Sequence, residues 1–454
     1  MIEKEKNKIK VFLTGATGIM GSEGLKNLML YPELYDVTIL SRDSKKNRKK
    51  LRGAIEKGVK VIWGDLLDKE SIAKGVKNSD IVLHVGGLVT PEADKYPEKA
   101  IKVNIGSIKL ICEEVKKIEQ EKPEKEIKVV YIGSVSQYGS HLPPKHWGSV
   151  GMPQWPAKKD AYAYSKIEAE RVLVTSGIKK WVSLRQTAIL HKGLLSKAND
   201  PVSFHVPLNG TIEWVTVEDS GRILERICRV DVPETFWNNF YNIGGGKNFR
   251  LTNYEFEKGL LKGLSCPSPE KIFEPDWFAT DNFHGIWFTD SDELEEILKF
   301  RGESSFENWI KKIKSELPFY YSLTPMVPPV FIKLFMKKVA HTPEYGTLWA
   351  LKKGNEEKIR LFWGTKENHD NLPDWKNWNY PKLEKDIKNN LKGKDKISNI
   401  EEKRIQRERN LNQELSTELK EFTCERGHRY LSSSFINIRG GHVCPECLKI
   451  YCFQ

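Results

Sequence analysis

Short apolar runs alternate with longer amphipathic stretches through the first half of the chain. The runs occupy residues 8–14, 37–41, 59–63, 81–84, 129–132, 182–186 and 240–243, and the first long amphipathic stretch spans residues 23–31. Apolar runs of strand length, separated by helical stretches, are typical of a parallel sheet covered by helices on both faces. The pattern therefore predicts an α/β fold with a Rossmann-type, doubly wound parallel sheet.

A glycine-patterned turn connects the first predicted strand to the first predicted helix. In this context the first glycine permits a tight turn, the second lets a pyrophosphate approach the backbone, and the third lets helix and strand pack closely. The phosphates would lie at the N-terminus of the helix. The turn residues predicted to bind a dinucleotide are Gly15, Thr17, Gly18, Ile19, Met20 and Gly21.

The end of the second predicted strand favours NADP(H) over NAD. An acidic residue at this place bonds the ribose hydroxyls of NAD, whereas this chain has Arg42. A guanidinium pairs well with the 2′-phosphate of NADP, and Ser41 adds a hydroxyl beside it. Lys45 and Lys46 either strengthen the positive field or are simply solvated.

The next two strand ends supply further predicted cofactor contacts. Asp65 and Leu66 follow the third strand, where the carboxylate either meets the adenine or caps the turn. Val85 and Gly86 follow the fourth strand, and small residues there let the backbone lie against a cofactor. His84, at the end of that strand, is interpreted as a packed core histidine.

Tyr162 and Lys166 are spaced as neighbours on one face of a helix. We expect the Lys166 ammonium to lie near the phenol and to lower its pKa, as an opposite charge does. A phenol tuned in this way gives or takes a proton near neutral pH. Together with the glycine turn, the pair predicts a redox enzyme.

Residues 8–315 resemble the extended short-chain dehydrogenase/reductases, also called the NAD-dependent epimerase/dehydratase family. The resemblance implies the family's fold, its use of NAD or NADP and a homodimer. It rests on the ordered landmarks of the glycine turn, Asp65, Asn104, the Gly-Ser stretch at 133–139, the Tyr-x-x-x-Lys pair, and the segments 213–219 and 242–246.

The resemblance also implies a role for each catalytic residue. Tyr162 would be the acid/base, and Lys166 would bind the nicotinamide ribose and lower the pKa of the tyrosine. Ser134 would hydrogen-bond the substrate oxygen, with Ser136 as a possible substitute on the same stretch. Asn104 would support the site from its helix.

Two departures from the family pattern bear on the reaction. Val135 and Ser136 stand where nucleotide-sugar dehydratases carry an acidic pair, and residues 286–290 are rich in aromatic side chains where epimerases often present an Arg. Apolar and aromatic groups near the pocket suit a less polar substrate. The leading prediction is therefore an NADP(H)-dependent oxidoreductase that reduces a ketone or aldehyde, or oxidises the alcohol, of a small and relatively apolar molecule.

Two alternatives stay open. The first is an NAD(P)-dependent nucleotide-sugar epimerase, which would retain its cofactor through turnover. The second is a catalytically silent, nucleotide-sensing protein that binds a macromolecular partner through its C-terminus.

The C-terminal residues 422–454 resemble small zinc-ribbon modules. About thirty residues bury too little surface to fold alone, so a structural zinc would supply the folding energy. The predicted ligands, of the soft or borderline types that tetrahedral zinc prefers, are Cys424, His428, Cys444 and Cys447, with His442 or Cys452 as alternatives to His428. Contact with nucleic acid or protein, aided by the basic segment 403–409, is possible for such a module but not favoured.

Size and composition set the remaining expectations. A chain of 454 residues exceeds one ordinary core, and its net charge of +12 favours anionic ligands or reflects Lys-rich solubility. The sparse cysteines, the mixed-charge N-terminus and the lack of a long apolar segment predict a cytoplasmic protein without a transmembrane segment. The predicted domains are a catalytic domain at 1–315, with its core at about 8–190 and a substrate lobe largely at 190–300, an aromatic-rich appendage at 316–382, a charged linker or helix at 383–421, and the zinc-binding module at 422–454.

No periodicity can be assigned to the aromatic-rich appendage. It is compatible with a lid, a dimer surface or a membrane contact, and above all with ordinary packing on the catalytic domain.

Overall fold

The structure of the protein is a computed structural model. It describes residues 8–197, 200–229, 231–302, 305–317, 325–378 and 415–453. The larger part of the predicted linker 383–421, including the basic segment 403–409, lies outside the described residues.

The described residues form the following elements. The strands are β1 (Ile9–Thr14), β2 (Tyr35–Ser41), β3 (Lys60–Trp63), β4 (Ile81–His84), β5 (Lys128–Ser134), β6 (Trp147–Gly148), β7 (Lys180–Gln186), β8 (Ile189–Leu190), β9 (Thr211–Glu213), β10 (Val215–Thr216), β11 (Asn239–Ile243), β12 (Arg250–Thr252), β13 (Trp287–Phe288), β14 (Lys420–Thr423) and β15 (Arg429–Ser432). The helices are α1 (Ile19–Leu28), α2 (Lys45–Glu56), α3 (Lys69–Lys77), α4 (Glu92–Lys95), α5 (Pro97–Glu121), α6 (Ala161–Val174), α7 (Val217–Ile227), α8 (Asn253–Gly263), α9 (Pro269–Ile272), α10 (Ser291–Leu298), α11 (Phe306–Ser315), α12 (Pro329–Ala340), α13 (Thr347–Lys353), α14 (Glu356–Trp363), α15 (Lys366–Asp370), α16 (Ser434–Ile438) and α17 (Pro445–Phe453).

The centre of the molecule is a seven-stranded sheet in the order β11-β7-β5-β4-β1-β2-β3. Every neighbouring pair in it is parallel. One face packs against α1 and α7, and the other against α3, α5 and α6, so that apolar clusters fill both sides of the sheet. The predicted α/β, Rossmann-type doubly wound fold is confirmed.

The order of the strands reverses at β1, because β2 and β3 lie on one side of it and β4 on the other. In open parallel sheets, ligands bind beyond the carboxyl ends of the strands at this reversal. The glycine turn leaves β1 at this point and leads into α1. The helix begins at Ile19 rather than at residue 23, since Gly18 is already its N-cap.

A smaller lobe follows the sheet, built from two-stranded pairings and the helices α8, α9 and α11, whereas α10 packs into the apolar cluster of the sheet through Leu294 and Leu298. Its core contains Phe249, Phe256, Phe306 and Trp309. The aromatic segment 286–288 contacts the sheet domain: β13 pairs with β6, and the buried side chains of Ile286 and Phe288 pack with Val135 and Tyr138.

The described part of the aromatic-rich appendage folds into helices α12 to α15. Met336, Val339 and Leu348 pack into a cluster with aromatic residues of the lobe, which agrees with ordinary packing. The periodicity was hidden because α12 is apolar on two sides: Phe331 and Leu334 point away from this cluster and are exposed. The segment 318–324 lies outside the described residues, and none of the described helices is long and apolar enough to cross a bilayer.

The C-terminal residues fold into the hairpin β14–β15 followed by α16 and α17. Ile436 joins the cluster on one face of the central sheet, and Leu448 and Cys452 pack on Ile167 of α6. The domain boundaries stay predictions, but the C-terminal residues lie against the sheet domain.

Candidate active site and metal cluster

A cavity of about 590 Å³ lies at the carboxyl ends of the sheet strands, at the reversal of strand order. It brings together all the residues that the sequence assigns to the cofactor, together with Ser134. These are Gly15, Thr17, Gly18, Ile19, Met20, Gly21, Ser41, Arg42, Asp65, Leu66, Val85, Gly86, Tyr162 and Lys166.

The glycine turn is fitted to the neighbouring strand end and to its own helix. Gly15 has φ +77°, and a Cβ there would lie 2.7 Å from the backbone nitrogen of Gly86. A Cβ on Gly21 would lie 2.2 Å from the carbonyl oxygen of Gly15. Side chains at these positions would break the turn, whereas glycine leaves the helix N-terminus facing the cavity. Such a cradle fits the pyrophosphate of a dinucleotide.

Basic side chains surround the outer end of the cavity. Arg42 lines it with an exposed side chain, whereas the nearby Arg48 is held by an ion pair with Asp43 at 2.6 Å. Lys50, which sequence reasoning did not single out, donates to the carbonyl oxygen of Thr17 at 3.0 Å. Lys50, a residue of α2, therefore adds to the positive charge beside the glycine turn.

The contacts of Asp65 and His84 can be compared with the interpretations that the sequence suggests for these two residues. Asp65 caps its turn by accepting a hydrogen bond from the Leu67 nitrogen at 3.0 Å, and it also lines the cavity. His84 is a buried core residue, as expected: its ring bonds Thr14 Oγ1 at 2.9 Å and Ser107 Oγ at 3.0 Å. Burial lowers the pKa of His84 to about 3, so this histidine stays neutral.

Tyr162 and Ser134 meet at the inner wall of the cavity. Both residues line the cavity, and the side chain of Ser134 acts to lower the pKa of the Tyr162 phenol. Ser136, the possible substitute, bonds Ser134 Oγ at 2.9 Å, and it is fully buried. Ser136 therefore supports Ser134 from behind.

Lys166 lies on the same side of α6 as Tyr162, but its ammonium has other partners. Its Nζ donates to the carbonyl oxygen of Ile132 at 2.8 Å and lies 5.1 Å from the centre of the Tyr131 ring. Burial lowers the pKa of Lys166 to about 8.

The expected lowering of the Tyr162 pKa by Lys166 is not seen. Burial raises the pKa of Tyr162 to about 12, and the hydrogen bond from Ser134 opposes this rise. The reason lies in the direction of the lysine, which is aimed at a carbonyl of β5. Tyr162 is consequently protonated near neutral pH, the state that a proton donor needs.

Asn104 supports the site but does not line the cavity. Its amide oxygen accepts from the Leu88 nitrogen at 2.7 Å, and its amide nitrogen donates to Ser165 Oγ at 2.8 Å. Asn104 thus fixes the loop after β4 to the helix that carries Tyr162. The supporting role implied by the family resemblance agrees with these contacts.

Sequence reasoning missed several residues of the cavity wall. His284 comes from the loop before β13, and its ring lies 3.9 Å from the carboxylate of Asp160, the N-cap of α6. No local pattern marks such a residue, because the chain returns to the cavity from the distant lobe. The other unpredicted wall residues include Lys99, Val103, Gln186, Thr187, Ala188 and Ile189.

The apolar character of the cavity has a different source from the one expected. Trp287 and Phe288 do not line it: Trp287 Nε1 donates to the Leu251 carbonyl at 3.2 Å, and Phe288 is buried in a cluster with Val135 and Tyr138. The apolar wall is formed instead by Leu88, Val89, Val103, Val135 and Ile189.

The four predicted metal ligands come together in the C-terminal residues. The ligand atoms of Cys424, His428, Cys444 and Cys447 all lie within 4.8 Å of one another. Cys424 Sγ is 3.7 Å from Cys447 Sγ, and His428 Nδ1 is 3.4 Å from Cys447 Sγ. Sulfurs bound tetrahedrally at about 2.3 Å from zinc lie roughly 3.8 Å apart, so the cluster fits that ion.

The two alternative ligands have other partners. His442 Nε2 donates to Glu170 Oε1 at 2.9 Å, and Cys452 packs against Ile167. His428 is therefore the ligand that geometry selects.

Residues 11–185 match the family described as NAD dependent epimerase/dehydratase family. The match contains the glycine turn, Ser134, Tyr162 and Lys166. The match extends from β1 to β7 of the central sheet and includes α6. The predicted resemblance is confirmed over these residues.

Solved structures of a dehydratase and an epimerase have the same fold. One is dTDP-glucose 4,6-dehydratase from Bacillus anthracis in complex with NAD, at 15% identity and a TM-score of 0.54, covering 68% of this chain and 96% of that chain. Another is UDP-glucose 4-epimerase from Bifidobacterium longum in complex with NAD+ and UDP, at 18% identity and a TM-score of 0.52, covering 67% and 97%.

Curated relatives match the chain over short segments. An uncharacterised protein of Saccharomyces cerevisiae is 38% identical over 78 residues, which are 17% of this chain and 25% of that protein. An uncharacterised protein of Frog virus 3 is 28% identical over 107 residues, 23% of this chain and 29% of that protein. The chain thus spans less than a third of the length of the curated relatives it matches.

Proposed function

We propose that the protein is an NADP(H)-dependent oxidoreductase that reduces a ketone or aldehyde of a small, relatively apolar molecule. The observation that carries this proposal is the position of Tyr162 beside Ser134 at the inner wall of the cavity that also receives the glycine turn. A hydroxyl pair at this place can bind a carbonyl oxygen and give it a proton.

The proton chemistry follows from the residues at the inner wall. A bound nicotinamide supplies the hydride to the carbonyl carbon. Ser134 orients the substrate oxygen, and Tyr162 transfers its hydroxyl proton to that oxygen, so that the product is the alcohol. The tyrosinate then recovers its proton from solvent. Tyr162 is protonated near neutral pH, as this direction of the reaction requires.

The preference for NADP(H) is supported by the charges at the outer end of the cavity. Arg42 follows β2, where the ribose of a dinucleotide lies in this fold, and Ser41 lines the cavity beside it. A guanidinium binds a phosphate through charge-assisted hydrogen bonds.

A second candidate is nucleotide-sugar epimerisation with a retained NAD. It is supported by the solved structures with this fold, which include UDP-glucose 4-epimerase. Against it, the wall near Tyr162 is largely apolar, and Val135 takes the position next to Ser134.

One experiment separates these candidates. The purified full-length protein is extracted for bound nucleotide and then supplied with NADPH and a panel of apolar ketones and aldehydes, or with UDP-sugars. We expect carbonyl-dependent oxidation of NADPH in the wild type and its loss in Tyr162→Phe, by a factor of about 10² to 10⁴. Tyr164→Phe is the matched control, because Tyr164 packs on Phe453 outside the cavity.

The other outcomes are equally distinct. Retained NAD and conversion of a UDP-sugar without net redox change would establish the epimerase. Cofactor binding without any turnover would favour the nucleotide-sensing alternative.

The zinc site of the C-terminal module and the oligomeric state are further parts of this proposal. We propose that Cys424, His428, Cys444 and Cys447 hold a structural zinc, since four protein ligands leave no open position for substrate. Metal analysis of the purified protein tests the zinc. A cytoplasmic homodimer stays a prediction, which light scattering and cell fractionation would check.

A further inference from the structure

We propose that the C-terminal module, residues 422–453, is an internal brace for the catalytic helix, and that its metal-bound fold holds α6 in position. The module packs against α6, the helix that carries Tyr162 and Lys166. The proposal goes beyond the reaction, because it concerns how the site is kept in place.

A buried ionic network joins the module to α6. Glu170 lies four residues after Lys166, on the next turn of the helix, and its side chain is inaccessible to solvent. Its carboxylate accepts from Arg185 NH2 at 2.6 Å, from His442 Nε2 at 2.9 Å and from Gln154 Nε2 at 2.8 Å. Burial alone would raise the pKa of Glu170, but Arg185 and His442 hold it well below its usual range.

Backbone atoms of the module complete this network. Arg185 NH2 donates to the Gly440 carbonyl at 2.5 Å, and Gln154 Nε2 donates to the same oxygen at 2.9 Å. Arg185 is followed directly by Gln186, which lines the cavity. Without the module, the buried Glu170 and Arg185 would each lose a partner, a costly state for charged groups.

The packing around the network leaves little room for movement. Gly441 has φ +68°, and a Cβ there would lie 2.1 Å from the carbonyl oxygen of Met152. On the other side, Leu448 and Cys452 of α17 pack on Ile167, which directly follows Lys166. The module therefore touches α6 through both polar and apolar contacts.

The docking residues are interleaved with the metal ligands along the chain. His442 precedes Cys444 by two residues, and Leu448 directly follows Cys447. A module of this size depends on its metal for a fixed fold. Loss of the metal would therefore release His442 and α17 from α6, and the position of Tyr162 and Lys166 with them.

Four full-length variants test the brace. Cys447→Ser removes a metal ligand, and Cys266→Ser is its matched control in the distant lobe. His442→Ala keeps the four ligands but removes the contact with Glu170, and His442→Gln restores a donor there. The readouts are zinc content, hydrogen exchange of the peptide 161–174, and the dissociation constant of NADPH.

We expect Cys447→Ser to lose zinc, to speed exchange of α6 roughly tenfold or more, and to weaken NADPH binding several-fold. His442→Ala should keep zinc and yet show the faster exchange and the weaker binding, and His442→Gln should recover most of both. Cys266→Ser should match the wild type. Unchanged exchange and binding in His442→Ala, or in a zinc-depleted Cys447→Ser that remains folded, would overturn the brace.

These readouts need no substrate and no turnover. A failure of the brace can therefore be distinguished from a failure of the proposed reductase activity. Should Cys447→Ser fail to fold, the two His442 variants still decide the question.

Discussion

Tyr162 lies beside Ser134 at the cavity wall, although the two residues belong to different elements: Ser134 ends β5, and Tyr162 lies in the first turn of α6. Their proximity depends on how α6 is docked on the sheet. Asn104 and Glu170 fix two sides of that helix, one through Ser165 and the other through Arg185. The two hydroxyl-bearing residues are thus positioned by residues that do not touch the cavity.

Ser134→Ala should separate the roles of this pair. The Ser134 hydroxyl lowers the pKa of Tyr162, so its loss should raise that pKa further and make the tyrosine a weaker acid. We expect the rate of carbonyl reduction to fall by about 10²-fold, with a small change in the dissociation constant of NADPH. Single-turnover kinetics and cofactor titration would measure both. An equal loss in both quantities would contradict a role confined to the substrate oxygen.

Arg42→Ala should change the choice of cofactor. Removing a charge-assisted contact to the 2′-phosphate should weaken NADPH binding by about 10- to 100-fold and leave NADH binding nearly unchanged. Fluorescence titration of both cofactors would measure the ratio. Arg48→Ala is the matched control, because its guanidinium is paired with Asp43. Equal weakening of both cofactors in Arg42→Ala would contradict the assignment to the phosphate.

The strands and the cofactor turn could be predicted because their signals are local. The strand Ile81–His84 has the predicted bounds, and Gly15 is required by a positive φ within its own turn. Local signals also place Tyr162 and Lys166 on one helix. They do not show where an ammonium points, and for this reason the effect of Lys166 on the pKa of Tyr162 differs from the prediction.

The rest of the site depends on contacts between distant parts of the chain. His284 reaches the cavity from the lobe, and His442 reaches Glu170 across 272 positions. His442 could be listed as a metal-ligand candidate from its sequence neighbours alone. Only the packed structure shows that its ring turns towards the sheet domain. Helix α12 was missed for a related reason, since its second apolar face hides the helical period.

Reductase activity should decrease as pH rises through about 8. Burial lowers the pKa of Lys166 to about 8, so the ammonium is charged below this pH and becomes neutral above it. Loss of the charge weakens the charge-assisted hydrogen bond to the nicotinamide ribose that the family resemblance implies for Lys166. A profile of kcat/KM against pH would show the decrease. Lys166→Arg should be slower but should lack this step, since a guanidinium stays charged.

Ionisation of Asp160 should lower the stability of the fold as pH rises from about 4 to about 7. Burial raises the pKa of Asp160 from 3.8 to about 7, although the carboxylate caps α6 by accepting from the Ala163 nitrogen at 2.8 Å. The folded protein therefore binds a proton that the unfolded chain has released, and stability is lost through this pH range. Asp160→Asn keeps the capping oxygen and removes the titration.

We expect the melting temperature of Asp160→Asn to vary less between pH 5 and pH 8 than that of the wild type, with the larger gain at pH 8. Asp68→Asn is a suitable control because Asp68 also caps a helix, α3, and accepts from Glu70, but the hydrogen bond from Ser71 lowers its pKa. For a lowered pKa the sign reverses, so this variant should lose stability most at the higher pH. If the stability of both variants changed in the same direction with pH, burial would not be the cause of the raised pKa of Asp160.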